Sequence, residues 1–493
     1  VADSNTSESI QVTVAALIAA QAEARPEAVF LEDARSERTV TFGDLRRQVD
    51  RAGAALAAAG VSSDGAVMVA LEDPLDFAVA WLATLAAGLR AVPLDPSSSD
   101  EAVLTLRGQF RGTVALVAEG REIDGIPTLT PADLDRERPR AARSGDSASS
   151  LLFTSGSTGT PKGVELGEAQ LLHVARAVAR HNALTPDDRG FNPLPLFHIN
   201  AEVVAVLASL IAGSALVLDR RFRRTGFWQL MAERRITWIN AVPAILAILA
   251  SEGDVTPTPE LRFIRSASAP LPEPTRLAFS DVDLVISYGM TEAASQITAT
   301  PLGGEAPSGS VGRPVETEVE VRDDDGRPLP EASVGQVWIR GPGVVRRYFG
   351  GAAADRFDAD GWLRTGDLGS FDSDGYLTLV GRSDDVINRG GELVYPGDVE
   401  EALLTDPRVR EAVVVGKPDH VLGQVPVAFI VPAGDLDETD AAALASALRE
   451  LAAARLSRAQ RPVEITVGTD LPRAATGKVQ RARLRASLEE RAE

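Results

Sequence analysis

What most constrains this chain is a rhythm of amphipathic helices and short apolar strands running through its first 380 or so residues. "TFGDLRRQVDRAGAALAAAG" (41–60) has helical spacing and stops at Gly60, and "GAVMVALE" (65–72) reads as a buried strand. "PLDFAVAWLATLAAG" predicts a helix ended by Gly88, and "LRAVPLDP" predicts the next strand. A second cycle follows at 201–219 and 227–251. A β-α-β order of this kind predicts an α/β fold with largely parallel sheets.

From about residue 310 the texture changes to short strands cut by Gly, Pro and Asp, as in "GQVWIRGP" and "GYLTLVGR". That pattern predicts a twisted antiparallel or barrel-like piece with tight turns. After "GRSDD" (381–385) a compact α+β segment of about 110 residues has the size of an independent small domain. Within it, 435–456 predicts a surface helix with Asp and Thr as capping candidates. The polar 130–148 stretch reads as a surface loop.

At 493 residues, two or more domains are expected. The net charge of −20 repels polyanions, so neither a nucleic-acid nor an anionic-membrane partner is expected. The arginine clusters at 220–224 and 481–485 read as solvated faces. The absence of cysteine removes disulfides, thiolate metal sites and thiol nucleophiles together. His173, His181, His198 and His420 have no ligand-like spacing, so a protein zinc site is not expected. "VADSNTSESIQVTV" lacks the basic and apolar regions of a signal peptide, and a cytoplasmic enzyme is the default expectation.

"LLFTSGSTGTPKGVEL" (151–166) carries the first chemistry. A linker would need no lysine at a set place and no apolar bracketing. A nucleophile elbow wants Gly-x-Ser-x-Gly, but Ser155 stands two before Ser157. A phosphate loop needs backbone N–H groups exposed by glycine, hydroxyl donors and a cation. Gly156, Gly159 and Gly163 supply the first, Thr154, Ser155, Ser157, Thr158 and Thr160 the second, and Lys162 the third. The Walker A pattern is absent, so the loop belongs to another phosphate-binding family.

"TSGSTGTPKGV" resembles the phosphate loop of the AMP-forming adenylating enzymes, which include acyl-CoA synthetases, peptide-synthetase adenylation domains and luciferases. Further family-like motifs follow in order: "AAGLRAVPLDP" (86–96), "PLFHIN" (195–200), "SYGMTE" (287–292), "GWLRTGDLG" (361–369), "GRSDDVINRGGELVYPGDVEEAL" (381–403) and "LPRAATGKVQRARLR" (471–485). The resemblance implies an α/β protein with a large N-terminal AMP-binding domain (1–381) of two α/β subdomains and a β-rich barrel-like subdomain. A hinge at 382–385 and a small mobile α+β C-terminal domain (386–493) complete it.

The implied reaction is transfer of AMP from ATP to an acid with release of pyrophosphate, then transfer of the acyl group to a thiol, CoA or carrier-protein pantetheine. By the same resemblance the 154–163 loop grips the β and γ phosphates. Thr291 contacts the α-phosphate, and Glu292 holds Mg²⁺, a hard cation suited to carboxylate and phosphate oxygens. Ser268, Ala269 and Tyr288 pack adenine. Asp367 accepts from the ribose hydroxyls with Arg382 beside it. Lys478 bridges the acid and the phosphates, and His198 separates the acyl pocket from the thiol tunnel. Asp384 is the hinge residue about which the C-terminal domain rotates between half-reactions, bringing Gly390 and Gly391 to line the tunnel.

Several positions depart from the family pattern: "SASAP" (266–270), Gly335-Gln336, Arg347-Tyr348 and Gln424. They are expected to affect packing and domain contacts more than the reaction. "FIRSASA", "AVPAIL" and "VINRGGE" look most like small-acid CoA ligases of the oxalate and short or aryl acid type. Asn200, Asn240, Val242, Gly289 and Ala294 are pocket candidates, and Asn200, Glu202 and Asn240 add polarity that a long fatty chain would not want. Two alternatives stay open: a specialised-metabolism enzyme activating an unusual oxyanion such as nitrite for diazotisation of an aryl amine, and a non-catalytic nucleotide-binding relative. The expected assembly is a monomer or homodimer.

Overall fold

In a computed structural model, the structure describes residues 12–62, 65–110, 113–138, 148–154, 162–251, 255–473 and 479–490. A nine-stranded sheet runs in spatial order Arg313–Pro314, Thr298–Ala299, Asp283–Tyr288, Phe263–Ala267, Trp238–Ala241, Arg189–Asn192, Ala215–Leu218, Val29–Asp33, Thr39–Thr41. Its six inner strands are parallel and its edge strands antiparallel. A six-stranded sheet runs Thr128–Leu129, Val114–Val117, Ala66–Ala70, Arg90–Pro93, Ser149–Thr154, Lys162–Gly167, parallel except for its last strand.

Helices Val14–Ala24, Phe42–Ala58, Pro74–Ala86 and Glu168–His181 share one core with the facing sides of both sheets, where Val67 and Val69 of one sheet and Leu216, Trp238 and Phe263 of the other are buried. Their ends follow from local chemistry. Thr41 and Asp44 form a reciprocal capping box at the start of Phe42–Ala58, and Asp73 caps Pro74–Ala86 with proline at the first position. Gly60 and Gly88 follow these helices at φ 77° and 79°, a left-handed conformation that stops each helix cheaply only as glycine.

The 310–382 region forms a four-stranded antiparallel meander, Glu318–Arg322, Gly335–Arg340, Leu363–Phe371 and Leu377–Arg382, whose hydrogen-bonded path stays open. The C-terminal segment builds its own sheet from Ile387–Arg389, Glu392–Val394, Val409–Asp419, Gly423–Pro432 and Glu464–Val467. Its cores draw only on residues from Ile387 onward, so a large N-terminal domain is followed by a smaller one. Asp437 caps the helix Glu438–Arg455 by accepting from Asp440 N.

Three expectations need correcting. The 130–148 stretch is not all loop, because Thr130 caps a short helix, Pro131–Leu134. Asn200–Leu207, which has ordinary helical spacing, is wound as a π-helix, a form concentrated at functional sites. Finally, Arg481 and Arg485 are not a solvated face: Arg481 is paired with Glu400 at 2.6 Å, and Arg485 donates to Asp385.

Candidate active site

Ligands of open parallel sheets bind beyond the carboxyl ends of the strands, and there the nine-stranded sheet gathers part of the expected site. Ala267 and Ser287 are register partners, so Ser268 and Tyr288 leave adjacent strands side by side. Ser268 sits at φ 78°, a left-handed conformation uncommon for serine. Ala269 follows it on the exposed lip.

The Tyr288 hydroxyl donates to Asp367 Oδ2 at 2.5 Å, and Arg382 Nη1 lies 3.0 Å from Oδ1 of the same carboxylate. Burial, then the Asp367 charge, pushes the Tyr288 hydroxyl well above its ordinary value. Asp367 and Arg382 are register partners in the meander, so these three residues span two sheets.

Gly289 begins the turn that carries Thr291 and Glu292. A Cβ on it would lie 1.4 Å from the carbonyl oxygen of Ser295, so only glycine fits this close approach of backbone to backbone. Ala294 and Ser295 then take φ of 48° and 92°, folding the turn back onto the sheet. The short 3₁₀ helix Thr291–Ala293 presents Glu292, which is 6% exposed.

Glu292 Oε1 accepts from the Tyr348 hydroxyl at 2.6 Å and lies 3.2 Å from Arg356 Nη1. Its other oxygen takes no hydrogen bond from a described residue and is the one available to a hard cation. Among the described residues no three His, Cys, Asp or Glu side chains cluster to hold a metal. Magnesium suits such a site, since it is commonly held by one or two carboxylates with phosphate and water completing the octahedron. Tyr348, the tyrosine that follows the departing Arg347, touches the candidate metal ligand although that pair was expected to concern packing. Arg356, whose guanidinium also donates to the Arg364 and Thr365 carbonyls, carried no sequence signal at all.

The candidate acyl-pocket residues Asn200 and Asn240 meet on the inner face of the same sheet. Asn240 Nδ2 donates to Asn192 Oδ1 at 2.9 Å and to Asn200 Oδ1 at 2.7 Å, linking two strands to the π-helix. Val242 stands at the start of the following helix Pro243–Ala250, one residue beyond the strand Trp238–Ala241. His198 packs 4.5 Å from the Phe197 ring, and its buried Nε2 has no hydrogen-bond partner among the described residues. Burial pushes its imidazole down to about 4, against an opposing pull from Asp95.

Glu202, 1% exposed, accepts from Ser150 Oγ at 3.0 Å, and burial pushes its carboxyl up to about 8. Beside Asn240 in register stands Arg265, fully buried, which the sequence reading passed over. Burial without a counter-charge pushes its guanidinium down to about 9.

In the C-terminal domain Gly390 and Gly391, at φ 64° and 95°, form the two-residue turn between Ile387–Arg389 and Glu392–Val394. Asn388 N donates to Gln424 Oε1 at 3.2 Å, so the amide at this position braces the turn. Asp384 lies in the 3₁₀ turn Ser383–Asp385 between the meander and this domain. Lys162 opens a strand paired with Thr154, so the phosphate-loop candidate is the connection of an antiparallel hairpin. Ser155, Gly156, Ser157, Thr158, Gly159 and Lys478 lie outside the described residues.

Comparison with known proteins agrees with this architecture. The AMP-binding enzyme family matches residues 18–349, and the AMP-binding enzyme C-terminal domain matches 398–478. A sulfoacetate–CoA ligase of Cupriavidus necator is 37% identical over 96% of this chain and 97% of its own. An oxalate–CoA ligase of Arabidopsis thaliana is 32% identical over 90% of this chain and 92% of its own.

The o-succinylbenzoate CoA synthetase of Bacillus subtilis, in complex with its acyl-adenylate, superposes with a TM-score of 0.84 at 30% identity, covering 95% of this chain and 97% of that one. The same enzyme bound to ATP and magnesium superposes at 0.83 and 29% identity, covering 96% and 99%. The chain therefore belongs to the AMP-binding enzyme family. Within it, this is an AMP-forming acid–CoA ligase.

Proposed function

We propose that the chain adenylates a short acid whose remainder is polar, and then passes the acyl group to CoA. A carboxylate is a poor electrophile because its charge is delocalised and its oxygen leaves badly. One carboxylate oxygen attacks the α-phosphorus of ATP, the bond to the β-phosphate oxygen breaks, and pyrophosphate departs. The thiol of CoA then attacks the acyl carbon and AMP leaves, carrying the oxygen that had joined it to the acyl group.

In this reading Asp367 and Arg382 hold the ribose, Tyr288, Ser268 and Ala269 hold the adenine, and Thr291 orients the α-phosphate. Glu292, steadied by Tyr348 and Arg356, supplies the protein carboxylate to Mg²⁺, which screens phosphate charge when bound. Lys478 bridges acid and phosphates, and rotation about Asp384 exchanges it for the Gly390–Gly391 turn. His198, kept neutral by burial, is a partition between acyl pocket and tunnel that carries no charge of its own.

The observation that carries the substrate reading is Asn240, 0% exposed and spent on Asn192 and Asn200. Asn240 Oδ1 is left without a partner among the described residues, and a buried polar atom in that state is costly against a fatty chain and favourable against polar groups. The sulfoacetate and oxalate ligases named above act on acids of this kind. The test is mass spectrometry of the products with ATP, Mg²⁺, CoA and acids of graded length: CoA thioesters of short polar acids support the reading, and thioesters of long-chain acids alone overturn it.

A further inference from the structure

Arg265 is a fully buried cation with no carboxylate partner among the described residues. It sits at 0% exposure on the central strand Phe263–Ala267, with Asn240 as its register partner on the next strand. Side chains alternate across a sheet. Ile264 belongs to the outer core and Phe263 to the inner one, so Arg265 shares the inner face with Phe263 and Asn240. The guanidinium reaches along the sheet toward the strand ends: Nη2 donates to Ser287 Oγ at 2.9 Å and contacts Gln296 Oε1 at 3.4 Å.

Both of those partners are neutral. Arg265 Nε, Arg265 Nη1 and Gln296 Nε2 are buried donors with no acceptor among the described residues. Three donor atoms held together around one cation, with no carboxylate to match them, make an incomplete ion pair. A buried cation in this condition is unfavourable and would not be retained by packing alone. The missing partner is an anion with oxygens arranged to meet the planar fork of a guanidinium, as a carboxylate or sulfonate has.

We propose that Arg265 is a specificity residue that receives a second anionic group on the acid, making the substrate class short acids with an anion at each end. This rests on the ligase reading above and deepens it. Arg265 lies two residues before Ala267, the last of its strand, which sets its Cα about 7 Å below the strand ends where the adenylate would form. That spacing suits an acid whose two anionic ends are separated by few bonds. The guanidinium is enclosed, so the incoming anion must displace the side chains over it. An acid with a single charge gains nothing from that displacement, and this is how the site discriminates.

The test compares kcat/KM for pyrophosphate release by the full chain with three acids of matched length: a monocarboxylate, a dicarboxylate and a sulfonated carboxylate. The wild type should favour one or both dianions, and the two dianion arms separate carboxylate from sulfonate recognition. Arg265→Met should raise KM for the preferred dianion roughly 10- to 100-fold more than KM for the monocarboxylate, the loss expected when charged hydrogen bonds are removed.

Arg265→Lys, which keeps the charge and loses the fork, should fall between them and guards against a folding defect in the first variant. Thermal melting of both variants checks that they are folded. Equal losses for mono- and dianions, or a wild type indifferent to the second charge, would overturn the assignment while leaving the ligase reading intact. No pyrophosphate with any acid would instead remove the reading on which it rests.

Discussion

Tyr288 donates its hydroxyl to Asp367 across 2.5 Å, joining the end of a parallel strand in the large sheet to the antiparallel meander. Seventy-nine residues separate them, so neither position is set by its neighbours in sequence. With Arg382 on the other oxygen, the carboxylate is held in place for the ribose contact proposed above. Asp367→Asn should therefore raise KM for ATP by about 10- to 100-fold while moving KM for the acid much less, because only the nucleotide loses a charged acceptor. Steady-state pyrophosphate release at varied ATP and varied acid measures both, and an equal rise in the two would contradict the assignment.

Glu292→Gln keeps an oxygen for Tyr348 and Arg356 and removes only the charge. The variant should fold normally, lose pyrophosphate release by about 100-fold or more, and need more Mg²⁺ for half-saturation. A Mg²⁺ titration of activity reads this directly; an unaltered metal requirement would assign Glu292 to structure alone.

Glu202 has a folded-state value of about 8 against an ordinary 4.5, with burial as the main cause. The folded state thus binds a proton more tightly than the unfolded state, and stability falls as pH rises from 4.5 through 8. Glu202→Gln keeps a partner for Ser150 and removes the titration. Its melting temperature should exceed that of the wild type at pH 8.5 by more than at pH 5, through a linkage on the order of a few kcal/mol. Melting curves at the two pH values decide it, and a constant difference would refute a buried neutral Glu202.

Gly289→Ala should destabilise the N-terminal domain by about 3 kcal/mol or more, because the new carbon overlaps the Ser295 carbonyl and the Thr291–Glu292 turn must move. Urea unfolding followed by tryptophan fluorescence would show it. A variant with wild-type stability would mean that the turn can relax at no cost.

Much of the architecture could be read from local chemistry. Thr41 with Asp44, Asp73 with Pro74, and the left-handed Gly60 and Gly88 each act within one turn of a helix, so sequence spacing exposes them. Tyr288, Asp367 and Arg382 stood in family-like motifs, and the structure brings the three together. Less could be read where tertiary contacts decide. The π-helix Asn200–Leu207 has the same apolar periodicity as an α-helix, and the strand Lys162–Gly167 begins inside the candidate phosphate loop (154–163). Arg265 stood in a quoted motif, yet its significance is the absence of a counter-charge, which no spacing reveals. Arg356 meets Glu292 from 64 residues away.

Pyrophosphate release is the most direct measure of acyl-adenylate formation by this chain. The full chain with ATP and Mg²⁺ should release pyrophosphate in response to particular short polar acids, with CoA accelerating turnover, and Lys478→Ala should abolish the signal. ATP binding without pyrophosphate release, across short, aryl and amino acids and nitrite alike, would contradict the account.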